Sequence, residues 1–293
     1  MAGNVRGLMR PGGSRAQVAG LDALETPLVH GVSPVRRLWA GLWPKVLAVA
    51  IVLLLWQLVV WAAFWPEWTL PGPVDVLARL WADLGTAELW SAVAITMRRG
   101  IWGFALAIVI GVVIGAVVSR FQLMRAAIGS LITGLQTMPS IAWFPLAIVL
   151  FKLSEEAITF VVVLGAAPSI ANGLIHGIDH IPPVLRRAGR VLGATGIDEY
   201  RHVIIPAAMP SFVAGLKNGW AFAWRSLMAG EIIVVIANQA SLGQLLQVNR
   251  ELSDAQGLLA TMIVILAIGI VLDSLVFGTL ERRIRAKRGL LVA

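Results

Sequence analysis

The stretch Val46-Leu-Ala-Val-Ala-Ile-Val-Leu-Leu-Leu-Trp-Gln-Leu-Val-Val-Trp-Ala-Ala-Phe-Trp65 carries no charge over its whole length. About 20 such residues, rising 1.5 Å each as a helix, match the roughly 30 Å hydrocarbon layer of a bilayer. The run is too long, and begins too far into the chain, to be the apolar core of a cleaved signal peptide. Trp39 and Trp43 precede it, and Trp61, Trp65 and Trp68 close it. Two aromatic clusters about one membrane thickness apart suit an interfacial belt; core packing is the other reading.

Working outward, the same signature recurs. Residues 101–119 form a second uncharged run. Residues 126–151 are apolar but hold Pro139 and Pro145, and 157–177 are apolar around Pro168. Residues 211–237 are apolar except for Lys217, Arg225 and Glu231, and 258–280 carry one acid, Asp273. The expected fold is therefore all-α: a polytopic membrane protein of six transmembrane helices at 46–65, 101–119, 126–151, 157–177, 211–237 and 258–280. Prolines and charges inside spans are typical of helices that line a passage. Composition agrees. Of 293 residues 58% are hydrophobic and 14% charged, and the mean hydropathy is +0.82, too apolar to cover a soluble surface. Cysteine is absent, which excludes disulfides, thiolate metal sites and a Cys nucleophile. The net charge of +8 comes from scattered Lys and Arg with no reading motif, so no nucleic-acid partner is expected.

Charge asymmetry orients the chain. With the N-terminus inside, the inner segments hold 17 basic and 6 acidic residues and the outer ones 3 and 8, placing both termini in the cytoplasm. Residues 1–44 read as a largely flexible tail with a short interfacial helix over 38–45. Residues 45–283 form the membrane domain, and 284–293 a basic tail. Arg98 and Arg99, at the outer start of the second span, face the bundle or snorkel outward. Leu70-Pro-Gly-Pro-Val-Asp-Val-Leu77 predicts a turn and then a helix whose stripe Val74, Leu77, Leu80, Trp81 and Leu84 lies flat on the outer face or packs on span ends.

Several residues inside the spans are candidates for function. A lone charge facing lipid costs about 2.5–3.5 kcal/mol, so Arg225 and Glu231 must face protein or water. Six positions apart, they point about 240° away from each other and do not pair. Arg225 is read as facing a passage for an anion, with a structural ion pair to another span as the competing reading, and Glu231 is a further candidate for the passage lining. Lys217 is expected to snorkel; Asp273 either pairs or is solvated. Pro139 removes a backbone donor, making Gln136, Ser140 and Trp143 candidates for a passage lining, against a simple packing kink. His176 and His180 lack a third ligand, so no metal site is expected. Gly111-Val-Val-Ile-Gly115 and Gly173-Leu-Ile-His-Gly177 are small-xxx-small patches for close packing.

The polar segment 178–206 separates the fourth and fifth spans. Helical periodicity runs from Pro183 to Leu192, Gly193 breaks it, and a second short helix with Asp198 near its start runs to Pro206. Two short helices meeting at a glycine make a compact knob suited to docking.

This segment resembles the EAA loop of permease subunits from bacterial ATP-binding-cassette importers: Glu-Ala-Ala, three residues, Gly, nine residues, Ile-x-Leu-Pro. The chain reads Arg187-Ala188-Gly189, then Gly193 after three residues, then Val203-Ile204-Ile205-Pro206 after nine more. Arg187 replaces the Glu and Gly189 the second Ala. Leu70-Pro-Gly-Pro73, Met138-Pro-Ser-Ile-Ala-Trp-Phe-Pro145, Glu155-Glu-Ala157 and Ala223-Trp-Arg-Ser-Leu-Met-Ala-Gly-Glu231 are similar to the permeases for nitrate, sulfonates, taurine and bicarbonate, over about residues 70–283. The resemblance implies the fold of the type I importer permeases and a homodimer in a bacterial plasma membrane. It implies two cytoplasmic ATP-binding subunits and an extracytoplasmic binding protein as partners, with lipid around the spans. It marks Arg187, Ala188, Gly189, Gly193, Ala194, Asp198, Tyr200, Arg201 and Pro206 as the ATPase-coupling surface. No cofactor belongs to this chain; ATP and Mg sit on the partner, and the chain has no Gly-x-x-x-x-Gly-Lys-Ser/Thr loop and is not itself an enzyme. The implied cargo is a small oxyanion, an aliphatic sulfonate first. An ion-coupled secondary transporter is the alternative; it calls for inverted repeats, which are not evident. A membrane enzyme would need a catalytic cluster, which the four scattered histidines do not make.

Overall fold

The computed structural model describes residues 34–237 and 239–287, and among these every regular element is helical. Of the expected tails at 1–44 and 284–293, residues 1–33 and 288–293 lie outside the described residues; 34–44 are helical rather than loose, and 284–287 are helical too. Contacts divide the chain into a unit ending at Val59 and one beginning at Val60. The first is helix α1, Pro34–Trp61, which absorbs the expected short helix over 38–45 without a break. Its segment Leu42–Trp61 is long and apolar enough to cross a membrane.

The second unit begins with α2 (Pro73–Leu84) and α3 (Ala87–Arg120). Thr86 caps α3 by accepting the Leu89 amide. Next come α4 (Gln122–Thr137), a tight turn over Ser140–Trp143, α5 (Phe144–Phe151), α6 (Glu155–Asp179) and α7 (Pro183–Val191). They are followed by α8 (Ile205–Ile233), α9 (Leu242–Glu251), α10 (Ala255–Leu272) and α11 (Gly278–Lys287). Ser241 and Asp254 cap α9 and α10, and α10 and α11 join through a π-turn at Asp273–Phe277.

Among the described residues four helices are long and apolar enough to span a membrane, and five if the bent α4–α5 pair is one span. The expected span over 126–151 breaks where its proline predicts a disturbance, with a bend of 104° at Met138-Pro139. Proline drives the preceding residue to extended geometry, and Met138 has φ −77° and ψ 128°. Helix α8 falls short on apolarity because Lys217, Asn218, Arg225 and Glu231 dilute it.

Helix α6 is the centre, gripped by α3 on one side and α8 on the other. Ala107, Val161, Val162, Ala166, Ile170, Ala223 and Leu227 form the buried seam, with Phe144 of α5 against it. Gly173 of α6 and Gly215 of α8 nearly touch: a Cβ on Gly173 would lie 2.6 Å from the Gly215 Cα. A Cβ on Gly111 of α3 would meet the Ala167 carbonyl oxygen at 2.8 Å. Both glycine patches thus serve backbone-to-backbone approach within the chain.

Helix α2 takes the second of its two expected arrangements, packing on a span end, but not through its apolar stripe. Pro73 and Val76 are buried on α10, and Arg79 bridges to Asp254 at 3.0 Å. The stripe of Val74, Leu77, Trp81 and Leu84 stays exposed. The helix therefore packs on a span end through one edge and shows its apolar stripe outward.

Candidate coupling surface and intramembrane charges

The knob is built locally. Pro182 and Pro183 start α7, where the missing amide costs nothing. The chain reverses at Gly193, whose φ of +86° is unfavourable for any side-chain-bearing residue. Its amide donates to the Arg190 carbonyl at 3.0 Å, and the Ala194 amide donates to Gly189 at 2.9 Å. Gly196, at φ +56°, makes a second left-handed step before Ile197–Glu199 and a π-turn at Tyr200–Ile204. The second short helix does not stop at Pro206. It runs through the π-turn into α8, with Pro206 in the first turn, where its lack of an amide is harmless.

Gly189 packs under this joint: a Cβ there would come 2.7 Å from Cγ2 of Val203. The departure from alanine thus has a steric cause. Arg190 and Glu199 tie the two arms at 3.8 Å. Outside this frame Val191 and Leu192 are 87% exposed and Ile197 84%. Arg187, Ala188, Asp198, Tyr200, Arg201 and Pro206 are also exposed, and Ala194 is half-buried. The surface is an apolar tip ringed by charge on a rigid mount, and each apolar side chain gains about 1.5–3 kcal/mol if a partner buries it.

The second cluster joins elements far apart in sequence. The Glu231 side chain on α8 is 0% exposed and that of Arg99 on α3 is 5% exposed, with Arg99 Nη1 3.3 Å from Glu231 Oε1. Thr96 Oγ1 donates to Glu231 Oε2 at 2.9 Å and accepts the Leu242 amide at 3.0 Å. The Gly243 amide donates to the same carboxylate at 3.1 Å. Glu231 therefore holds the amino end of α9, where a negative charge suits the helix dipole. Arg99 also donates to Glu155 Oε1 at 3.2 Å and to Gln239 Oε1 at 2.7 Å, while exposed Arg98 meets Glu155 at 2.9 Å. Arg99 faces the bundle and Arg98 faces outward.

The other candidates lie apart. Arg225 is exposed, its Nε donating to Ala221 at 3.0 Å and its guanidinium 4.7 Å above the Phe222 ring. It lines an open groove between α8 and α10 of about 670 Å³. Glu231 does not share that groove. Of the two passage candidates, Glu231 is closed in an ion pair and Arg225 stands open to the groove. Gln136 accepts from Asn172 of α6 at 2.5 Å. Half-buried Ser140 sits beside Gly165 of α6, and Trp143 packs on the central seam. Lys217 and Asp273 pair at 3.2 Å, both side chains half-exposed. Among the described residues no cluster of metal-ligating side chains occurs.

Residues 107–286 match the family described as binding-protein-dependent transport system inner membrane component. The chain belongs to that family. The permease is 34% identical over 190 residues to a Methanocaldococcus jannaschii protein named as an ABC transporter permease, covering 65% of this chain and 70% of the relative. It is 31% identical over 204 residues to an Escherichia coli protein named for aliphatic sulfonates transport, SsuC, covering 69% and 76%. Its fold is similar to that of a chain in a solved structure of the MetNI methionine ABC transporter. The TM-score is 0.52 at 22% identity, over 67% of this chain and 94% of that one. The permease is thus a multi-pass membrane subunit of an ABC importer. Sequence reasoning singled out Glu231 and flagged Arg99 in this permease, but did not join them and missed Thr96 and Gln239. The one available signal was that two unpaired intramembrane charges of opposite sign each needed a partner.

Proposed function

We propose that this chain forms, as a homodimer, the translocation pathway of an ATP-driven importer for a small oxyanion, an aliphatic sulfonate first and taurine, nitrate or bicarbonate next. Six crossings leave both termini in the cytoplasm of a bacterium: α1, α3, the bent α4–α5 pair, α6, α8 and the joined α10–α11. The tip of Val191, Leu192 and Ile197, with Arg187, Ala188, Gly189, Gly193, Ala194, Asp198, Tyr200, Arg201 and Pro206 around it, docks on each of two ATP-binding subunits carrying ATP and Mg. Rigid mounting of this exposed apolar tip is the observation that carries the reading, because a stiff lever passes motion on where a loose loop absorbs it. An extracytoplasmic binding protein delivers the cargo. Arg225, with Gln136, Ser140 and Trp143, lines the pathway. Glu231 serves as the anchor of α9.

The test is ATP hydrolysis by the chain in lipid vesicles with its ATPase and binding protein, with and without an alkanesulfonate. Stimulation that needs all three proteins and the sulfonate is expected. Stimulation without sulfonate dependence overturns the cargo assignment. Failure of any ATPase to associate overturns the importer reading in favour of a secondary transporter.

A further inference from the structure

Where α3, α6 and α7 meet, a cleft of about 530 Å³ is lined by Ser119, Arg120, Arg125, Asp179 and Arg186. Two polar atoms in it are buried without a hydrogen-bond partner: Ser119 Oγ and Arg186 Nε. A buried donor or hydroxyl without a partner is unfavourable, so both groups call for a polar ligand atom. Arg186 Nη2 is held by the Ile178 carbonyl at 3.3 Å, which orients the guanidinium. Arg125 is partly neutralised by Asp179 at 2.7 Å. Three cations thus face one acid, and the amino end of α7 opens on the same cleft at Pro183. An oxyanion with several acceptor oxygens would satisfy Nε, the hydroxyl and Arg120 together.

A second cleft adjoins it, of about 730 Å³, sharing Ser119, Arg120 and Ile178. Its other walls are almost wholly apolar, including Val112, Leu174, Met209 and Phe212. A basic, donor-rich head continuous with a long apolar slot suits an anionic headgroup on an acyl chain, as in a phosphate ester. We propose that the joined clefts bind an anionic phospholipid of the inner leaflet, its phosphate on Ser119, Arg120 and Arg186 and one acyl chain in the apolar slot. The proposal rests on the orientation taken above, which puts these helix ends at the cytoplasmic face. Tyr200 and Ile204 of the knob's π-turn form one wall of the slot, so the lipid stiffens the mount of the coupling tip.

The test is lipid retention by the full-length permease in detergent, read by native mass spectrometry, with phosphatidylglycerol against phosphatidylcholine of identical chains. One arginine near the headgroup changes retention about fivefold, so the anionic lipid is retained at least that much better and Arg120→Gln lowers the preference about fivefold. Arg120 is exposed, so this variant keeps the fold. Ala116→Phe, which fills the apolar slot from an exposed position, abolishes retention of both lipids. Equal retention of the two lipids overturns the site. Millimolar inorganic phosphate stabilising wild type and Ala116→Phe alike, as strongly as the lipid does, overturns the lipid in favour of a free anion. Retention needs no partner protein, so failure here leaves the importer reading standing, and failure of transport leaves this one standing.

Discussion

Replacing Glu231 by Gln is the sharpest perturbation the structure offers. The carboxylate accepts from Arg99, Thr96 and the Gly243 amide, and its side chain is 0% exposed. Removing one partner of a buried ion pair costs about 3–5 kcal/mol when the other charge is left alone. Here Arg99 keeps Glu155 and Gln239, and a glutamine oxygen in the Oε2 position keeps the bonds from both Thr96 and the Gly243 amide. The expected loss is therefore lower, about 2–3 kcal/mol. At about 2–4 °C per kcal/mol for a domain of this size, Glu231→Gln lowers Tm by about 4–12 °C in thermal melts of the detergent-purified permease. Glu231→Ala costs more, since Gly243 and Thr96 both lose their acceptor. The double variant Arg99→Gln/Glu231→Gln melts higher than the sum of the single losses predicts, because the unpaired charge is gone. Additivity within about 0.5 kcal/mol, or a single variant indistinguishable from wild type, refutes the pair as the anchor of α9.

Three further outcomes are expected. Gly173→Ala drives a methyl into Gly215, an overpacking that costs about 1–3 kcal/mol, visible as a lower melting temperature; an unchanged melt refutes the backbone contact. Leu192→Asp with Ile197→Asp leaves Tm within about 2 °C, because exposed substitutions cost under ~0.5 kcal/mol each. Co-purification of the ATP-binding subunit with that variant falls at least about tenfold, and undiminished co-purification removes the tip from the interface. Arg225→Gln expresses and melts as wild type yet imports anion more slowly in vesicle uptake; unchanged uptake and affinity takes Arg225 off the pathway.

The reading of the chain succeeded wherever a property is local. A run such as 46–65 is uncharged throughout and holds one polar side chain, Gln57, and length multiplied by rise already matches a bilayer. The knob was legible for the same reason: Gly193 stands where the backbone adopts φ +86°, and the Pro182-Pro183 pair starts a helix whatever surrounds it. Met138-Pro139 announced a disturbance, but its size did not follow from sequence, since a proline kink and a 104° bend share one signature.

Tertiary packing decided the pairings. Arg99 and Glu231 are 132 residues apart, and Lys217 meets Asp273 across two helices. Helices apolar around most of their circumference carry no stripe that sets their rotation, so periodicity does not say which charge looks at which. Rotation is set where small residues let backbones touch, as at Gly173 against Gly215, and once those seams close every polar side chain has its direction assigned. Hydropathy along the chain places the helices in a membrane because transfer free energy sums residue by residue. The choice among partners belongs to the packed bundle, because it turns on angles between helices that no single segment encodes.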